Sequence, residues 1–343
     1  MKLFIVLSII LTNIVSVFGQ TPANDPHWHL DFVDNFNILN TGNWLVKNNF
    51  DHFASTKPMD SYERDVVFLN KPSNVRVENG ILILQLNKED YTCPPDSLTE
   101  EDCSSQAQTG ESYKYTAGYL ETKYQDFDYG YIEARIKLPD EPGLITAFWT
   151  FTKAGLAYNE IDIFEMVPGS NIGGIYNNKY TMTSNIITAD YDDRDRQVNS
   201  ISDYTEWHTY GVEWSPTRIL IYVDDELVRF INRQRIVNPE RIIFDIAISG
   251  WLDPSQSNYP SKMYVDWLRH YSLRQDCIDI NSCNFDFNSY SSQVKNKIHI
   301  GGEGCQNTIN GDIVLRASSE IQLEGEFTVS TGSTLVLDVN SCY

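Results

Sequence analysis

The sequence predicts an all-β sandwich, and three observations support this fold class. Short apolar runs recur along the chain, as in Gly80–Leu86, Arg218–Val223 and Arg241–Ile248, and Gly, Pro, Asn and Asp residues separate them. Their length and their content of Ile, Val, Leu and Phe are typical of buried strands. No long segment has the spacing of an amphipathic helix, which argues against a parallel α/β sheet. The segment Val223–Val228 is interpreted as a hairpin with an acidic turn.

The N-terminal residues have the composition of a signal peptide. A lysine precedes an apolar run from Leu3 to Leu11, and small residues lead to Gly19. This run is too short to favour a membrane span. We therefore expect residues 1–19 to be removed on export. The mature chain is expected to be secreted, outside the cell or at its surface or in a periplasm, without a membrane span.

A change in composition divides the rest of the chain. After Leu273 the sequence becomes polar and rich in Asn and Ser, which marks a boundary. We assign residues 20–274 to one large sandwich, which the acids described below make the catalytic part. Residues 275–343 are assigned to a small β-rich appendage that contains cysteines. Within it, Gly311–Ala317 and Gly332–Asp338 repeat a short pattern.

The six cysteines favour disulfide bonds, because the chain is expected to be exported. Zinc is the alternative, but the sequence has neither a C-x-x-C pair nor a nearby set of histidines. The simplest of the connectivities that six cysteines allow is Cys93–Cys103, Cys277–Cys283 and Cys305–Cys342.

Three carboxylates stand among apolar residues in Asn159–Met166, written NEIDIFEM. A helix would disperse Glu160, Asp162 and Glu165 around its axis, whereas a strand puts the first two on one face. A β-bulge at the two residues before Glu165 would return that side chain to the same face, and bulges are frequent beside active sites. The spacing therefore predicts a row of three acids along one bulged strand.

Such a row suits the hydrolysis of a glycosidic bond with retention of configuration. That reaction needs two carboxyl groups about 5 Å apart, one as nucleophile and one as acid/base. Glu160 would attack the anomeric carbon, Glu165 would protonate the leaving oxygen, and Asp162 would orient Glu160. Crowding of like charges raises carboxyl pKa values, which helps one acid to stay protonated. The alternative is a solvated acidic strand face.

The acid run and several segments around it resemble glycoside hydrolase family 16. The resemblance covers about residues 28–274 and implies a concanavalin A-like jelly-roll sandwich with retaining, endo-acting β-glycanase activity. It implies the same roles for Glu160, Asp162 and Glu165 as nucleophile, assistant and general acid/base. The matching segments are Asn74–Gly80, Tyr129–Pro139, Ala147–Trp149, Glu160–Glu165, Trp207–Trp214 and Met263–Tyr271.

The spacing E-x-D-x-x-E is similar to the bulged branch of that family, which contains laminarinases, agarases and carrageenases. We expect a neutral β-1,3- or β-1,3-1,4-glucan as substrate, because the net charge of −21 opposes binding of a polyanion unless the cleft is locally basic. Nucleic acid is disfavoured as a partner on the same ground. The alternatives are a hydrolase of agarose, porphyran or carrageenan, a transglycosylase, and a non-catalytic lectin-like module.

Five residues are candidates for binding the polysaccharide. Trp149, next to the acids in sequence, and Trp251, after a buried strand, offer flat apolar faces for sugar rings. Arg135 could reach sugar hydroxyls, with a salt bridge as the alternative. Tyr158 precedes the acids, and Asn185 stands where members of the family often carry a histidine.

No cofactor is expected for catalysis. The resemblance implies a structural calcium ion held partly by an aspartate of the last strand, which Asp266 matches. The first-strand position, commonly glutamate, is Asn35, whose carbonyl oxygen could contribute because calcium accepts neutral oxygens. The alternative for Asp266 is a hydrogen-bonded strand residue. The sequence predicts no particular oligomeric state.

Overall fold

The structure is a computed structural model that describes residues 21–24, 28–47, 62–92, 112–123, 127, 129–152, 159–188, 194–215, 218–231, 240–250, 252–273, 278–287, 290 and 294–339. Within these ranges the regular structure is β-strand apart from short 3₁₀ turns at Pro22–Asn24, Tyr62–Asp65 and Pro254–Gln256. The chain divides into two compact units. The larger takes Leu30–Asp224 and Val228–Ser272, and the smaller takes most of the chain from Leu273 onward. The fold class predicted from the sequence, all-β with a β-rich appendage, is confirmed.

In the described ranges up to Leu273, strands follow one another with no helix longer than the 3₁₀ turns named above. In chain order the first nine are β1 (Trp28–Asp34), β2 (Trp44–Val46), β3 (Val66–Phe68), β4 (Val75–Glu78), β5 (Ile81–Thr92), β6 (Ser112–Ala117), β7 (Tyr119–Thr122), β8 (Gly130–Lys137) and β9 (Leu144–Thr152). The next ten are β10 (Asn159–Met166), β11 (Asn171–Ile172), β12 (Ile175–Tyr176), β13 (Thr181–Thr188), β14 (Arg194–Ser200), β15 (His208–Trp214), β16 (Ile219–Val223), β17 (Glu226–Ile231), β18 (Glu240–Ile248) and β19 (Ser261–Leu273).

Two large sheets pack against each other in the larger unit. Among the described residues, one sheet has seven strands in the order β14-β13-β10-β9-β18-β7-β2. The other has the order β17-β16-β15-β8-β19-β5-β6-β3, with β1 beside β19 and β4 beside β5. β11 and β12 form a separate hairpin. The β16–β17 connection is the acidic hairpin predicted from the sequence, and Asp224 and Asp225 both adopt positive φ angles there.

The core lies between the two sheets and is built from the apolar side chains of alternate strand positions. Phe164 of β10 meets Tyr210 of β15 at 4.7 Å between ring centroids, which joins the sheets directly. Phe148 of β9 stacks on Phe244 of β18 at 4.8 Å. Ring contacts of this kind hold the strands of the seven-stranded sheet in a fixed register.

A buried arginine links the far edges of the two sheets. The guanidinium of Arg229, on β17, donates to the Ser184 hydroxyl of β13 at 2.9 Å and to the Asp195 carboxylate of β14 at 2.7 Å. Arg229 is almost fully buried, so loss of the Asp195 carboxylate would leave a buried charge without compensation. This contact fixes the position of β13, which pairs with the acid-bearing strand β10, and of β14 on the far side of β13.

The smaller unit is a stack of parallel strands. Its strands are β20 (Ile280–Ser282), β21 (Lys295–Ile309), β22 (Asp312–Val329) and β23 (Thr334–Val339), hydrogen-bonded in that order. The two repeated patterns lie side by side, because Asp312–Ala317 pairs in register with Thr334–Val339. Inward-facing Ile and Leu side chains, with Phe287, form its own core.

The disulfide of this unit joins Cys283 to Cys305, with a Cα separation of 5.3 Å. The expected pairs Cys277–Cys283 and Cys305–Cys342 are therefore wrong. The reason is the pairing of strands. β20 and β21 are parallel neighbours, so Cys283, which follows β20, lies next to Cys305 on β21. The pair Cys93–Cys103 and the leader at residues 1–19 lie outside the described residues.

Candidate active site

The three acids lie in one row on β10, on the face of the seven-stranded sheet opposite the core, called here the acid face. Glu160 and Asp162 alternate with the core residues Ile161 and Ile163. The pairing of β10 with both neighbouring strands shifts between Asp162 and Glu165. The bulge predicted from the sequence is thus confirmed.

The bulge has a simple physical cause. Ile163 and Phe164 are consecutive apolar residues, and both are completely buried. Strict alternation would turn one of them outward, so the strand gains one residue and both pack into the core. Glu165 then returns to the acid face, where it is partly exposed, with 19% of its side chain accessible.

Asp162, the middle acid, is buried and hydrogen-bonded to Glu160. Burial raises the pKa of the Asp162 carboxyl well above its usual value, and the negative charges of Glu160 and Glu165 raise it further. The raised pKa favours the protonated form of Asp162, whose O–H can donate in the hydrogen bond to Glu160. In that form Asp162 adds no second negative charge beside Glu160.

An arginine approaches the third acid from the edge of the sheet. The Arg196 guanidinium of β14 lies 3.4 Å from a carboxylate oxygen of Glu165. Its Cα pairs with that of Asn185 on β13, which in turn pairs with Asp162. A cation thus stands on one flank of an otherwise acidic site.

The other flank is formed by β9 and β18. Trp149 is the cross-strand partner of Asp162, so its side chain lies on the acid face. Its indole N–H donates to a carboxylate oxygen of Asp245, on β18, at 2.8 Å. Burial raises the pKa of Asp245 to about 7, and the charges of Glu165 and Glu160 also raise it, against the lowering effect of the indole hydrogen bond. Asp245 is a fourth carboxyl group beside the three acids.

The model for glycosyl hydrolases family 16 matches residues 62–269, more than half of the chain. The chain belongs to glycosyl hydrolase family 16. The matched range contains the acid row and most strands of both sheets. A structure of an endo-β-1,3-glucanase from Pyrococcus furiosus is similar to this family 16 chain, with a TM-score of 0.57 and 25% identity, covering 72% of this chain and 95% of that one.

Curated relatives are also similar to this family 16 protein. An endo-1,3-1,4-β-glycanase of Rhizobium meliloti is 31% identical over 179 residues, 50% of this chain. The chain spans only 36% of the length of that relative. A β-glucanase of Rhodothermus marinus is 26% identical over 272 residues, which cover 72% of this chain and 86% of the relative.

The structure brings some of the expected binding residues to the family 16 acid row and separates another from it. Trp149 lies beside Asp162 but is only 4% exposed, so its ring offers little open surface for stacking a sugar. Asn185 also lies beside Asp162, fully buried, and neither atom of its amide has a hydrogen-bond partner among the described residues. Trp251 and Tyr158 lie outside the described residues.

Arg135 is not near the acids. It lies on β8, in the other sheet, and its neighbours Ala134 and Ile136 face the core, so its own side chain points away from both the core and the acid face. Its guanidinium pairs with Asp266 of β19 at 2.5 Å and covers the Trp207 ring at 4.9 Å. The expected contact with sugar hydroxyls is therefore corrected to a salt bridge.

The same ion pair bears on the expected calcium ion. The Asp266 carboxylate is already compensated by Arg135, and no group of three or more His, Cys, Asp or Glu side chains in the described ranges is arranged to hold a metal. Asn35 is exposed just after β1. The contacts at Asp266 thus favour a salt bridge over a calcium ligand, and family 16 hydrolases need no cofactor for catalysis.

Sequence reasoning missed Asp245 and Arg196. Asp245 is a lone acid within the apolar run Arg241–Ile248, and a single charged residue in a buried strand is a signal that such a group has a specific partner. Arg196 has no comparable signal, because the segment around it is polar throughout. Its position beside Glu165 follows only from the pairing of β13 with β14.

Proposed function

We propose that this chain is a retaining, endo-acting hydrolase of a β-1,3- or β-1,3-1,4-glucan. The observation that carries the proposal is the row of Glu160, Asp162 and Glu165 along one bulged strand. Family membership supports the reaction class. The three carboxyl groups are close enough for their charges to affect one another, as catalysis by two carboxyl groups requires.

The first step forms a glycosyl ester. Protonated Glu165 donates its proton to the glycosidic oxygen while the Glu160 carboxylate attacks the anomeric carbon from the opposite face. The bond to the leaving sugar breaks, and that sugar departs as an alcohol. The proton of Asp162 holds Glu160 in place and spreads part of its charge.

The second step releases the product. The Glu165 carboxylate takes a proton from water, and the water oxygen attacks the same carbon and displaces Glu160. Two inversions restore the original configuration. Neither step uses a metal ion.

A neutral glucan is the substrate class best supported by the relatives. The Rhizobium meliloti and Rhodothermus marinus proteins are described as a 1,3-1,4-β-glycanase and a β-glucanase, and the Pyrococcus furiosus structure is that of an endo-β-1,3-glucanase. The net charge of −21 also disfavours a sulfated polymer. We further propose that the enzyme is secreted after cleavage of the leader. No described helix has the length and apolar character needed to cross a membrane.

The experiment that tests the proposal is reducing-end release by the purified chain. Laminarin, mixed-linkage glucan, agarose, porphyran and κ-carrageenan form the panel, and Glu160→Gln is the control. Release from laminarin or mixed-linkage glucan alone supports the proposal. Release from a galactan alone contradicts the substrate class and keeps the mechanism, and no release from any polymer favours a carbohydrate-binding module.

A further inference from the structure

Asp245 stands in line with Glu165 across three strands. The Cα of Glu165 pairs with that of Ala147 on β9, and Ala147 pairs with Asp245 on β18. Directly opposed residues of neighbouring strands point to the same face, so all three side chains are on the acid face. The strand spacing separates Glu165 from Asp245 by about 10 Å between Cα atoms. Only the methyl group of Ala147 lies between them.

The contacts of Asp245 use one of its two oxygens. One oxygen accepts the indole N–H of Trp149 at 2.8 Å. The other accepts no hydrogen bond from the described residues, and the residue is 9% exposed. Trp149 pairs with Asp162 in the strand register, so the residue that donates to Asp245 stands next to the middle acid.

The charged groups around Asp245 leave it without a cation of its own. On β7 it faces Tyr119, its cross-strand partner, and Glu121 lies next along that face. Two cations lie near this face, Arg241 on β18 and Lys47 over the Tyr119 ring, but both pair with Glu121, at 2.9 and 3.0 Å. The residues of β9 on this face, from Ile145 to Phe151, are uncharged, and β10 contributes the acids. These surroundings favour a neutral carboxyl group, in agreement with the pKa of about 7.

We propose that Asp245 is a substrate-positioning residue, whose neutral carboxyl group donates a hydrogen bond to the sugar bound beside the cleaved bond. In the neutral acid the carbonyl oxygen accepts from Trp149, and the O–H is free to donate into the space above Ala147. A sugar over Ala147 would lie next to Glu165, where the bond is cleaved. The inference rests on the proposed function, since it assigns one subsite of the same enzyme.

Ionisation of Asp245 would weaken this contact. A bound sugar covers the carboxyl group, and covering an ionised carboxylate costs more free energy than covering a neutral acid. Substrate binding should therefore be tightest below neutrality and should take up a proton near pH 7. Ionisation of Asp245 should therefore change KM, whereas ionisation of Glu165, the proton donor, should change kcat.

The test is the pH dependence of KM for a glucan oligosaccharide. Asp245→Asn keeps an acceptor for Trp149 and a donor for the sugar, but it cannot ionise. Asp245→Ala loses both groups. The exposed Asp90 on β5, in the other sheet, provides the control Asp90→Asn, the same chemical change away from the acid face.

We expect the KM of the wild type and of Asp90→Asn to rise about tenfold between about pH 5.5 and 8.5. Loss of one hydrogen bond to the sugar, together with burial of the ionised carboxylate, has an effect of this order on binding. The KM of Asp245→Asn should stay within about twofold, and that of Asp245→Ala should be raised throughout. An Asp245→Asn profile that rises like the wild type, or an Asp245→Ala KM equal to that of the wild type at low pH, would overturn the inference. Wild-type turnover at low pH reports separately on the proposed function.

Discussion

Asp162 is buried on β10 and hydrogen-bonded to Glu160. Its pKa lies well above the usual aspartate value because it is buried and flanked by two glutamates. The protonated form of Asp162 is therefore favoured, and in the proposed mechanism that form donates to Glu160. The proton on Asp162 decides which substitutions the site should tolerate.

The first prediction concerns that proton. Asp162→Asn preserves a donor to Glu160, whereas Asp162→Ala removes it. We expect the alanine variant to lose about 100-fold in kcat and the asparagine variant about tenfold, since a positioned hydrogen bond to a nucleophile has effects of this order. Steady-state kinetics on laminarin measures both. Equal losses in the two variants would show that Asp162 must give up its proton during turnover.

A second prediction concerns a buried acid outside the row on β10. Glu240 begins β18 and is fully buried, with its carboxyl 3.1 Å from the Thr152 hydroxyl. Burial raises its pKa well above its ordinary value of 4.5. A carboxyl group whose pKa is raised by folding makes its full contribution to stability at pH values below its pKa in the unfolded chain. That contribution is lost as the pH rises through its pKa in the folded protein. Glu240→Gln should therefore gain stability relative to the wild type as the pH rises from about 4 to 8, on the order of 1–3 kcal/mol.

Thermal unfolding at the two pH values measures this difference. Glu206→Gln serves as a matched control, because Glu206 is exposed. A constant difference in Tm between Glu240→Gln and the wild type would contradict the expected proton linkage. A stability advantage of Glu240→Gln that shrinks as the pH rises would show that folding lowers the pKa of Glu240 and would also contradict the prediction.

A third prediction concerns the disulfide of the smaller unit. A protease that cleaves before aspartate residues cuts before Asp279 and so places Cys277 and Cys283 on different peptides. Under non-reducing conditions we expect the Cys283 peptide to remain linked to the peptide that contains Cys305. Serine at both positions should lower the free energy of unfolding of this unit by about 3 kcal/mol, as the loop of 22 residues implies. A peptide that links Cys277 to Cys283 would refute this pairing.

Some of the site could be predicted because its cause is local. The acid spacing and the adjacent Ile163 and Phe164 require a bulge if both apolar residues are to be buried, and the structure has that bulge. The acidic turn at Asp224 and Asp225 was likewise predictable from a few residues.

Other features depend on pairings between distant segments. Alternation shows that Arg135 faces away from the core, but not that its strand belongs to the sheet without the acids. The position of Asp245 beside Glu165 requires the register of three strands. The Cys283–Cys305 bond likewise depends on the parallel pairing of β20 with β21. None of these registers is encoded within one segment.

The central claim is that Glu160 attacks carbon and Glu165 moves the proton. Azide rescue with an activated aryl β-glucan oligosaccharide tests it most directly, because the aryl group leaves without a proton. In Glu160→Ala, azide should enter the vacated space and give the α-glycosyl azide by a single inversion. In Glu165→Ala, the ester on Glu160 still forms, and azide should give the β-glycosyl azide. The opposite pair of products, or no azide product from either variant, would contradict the assignment.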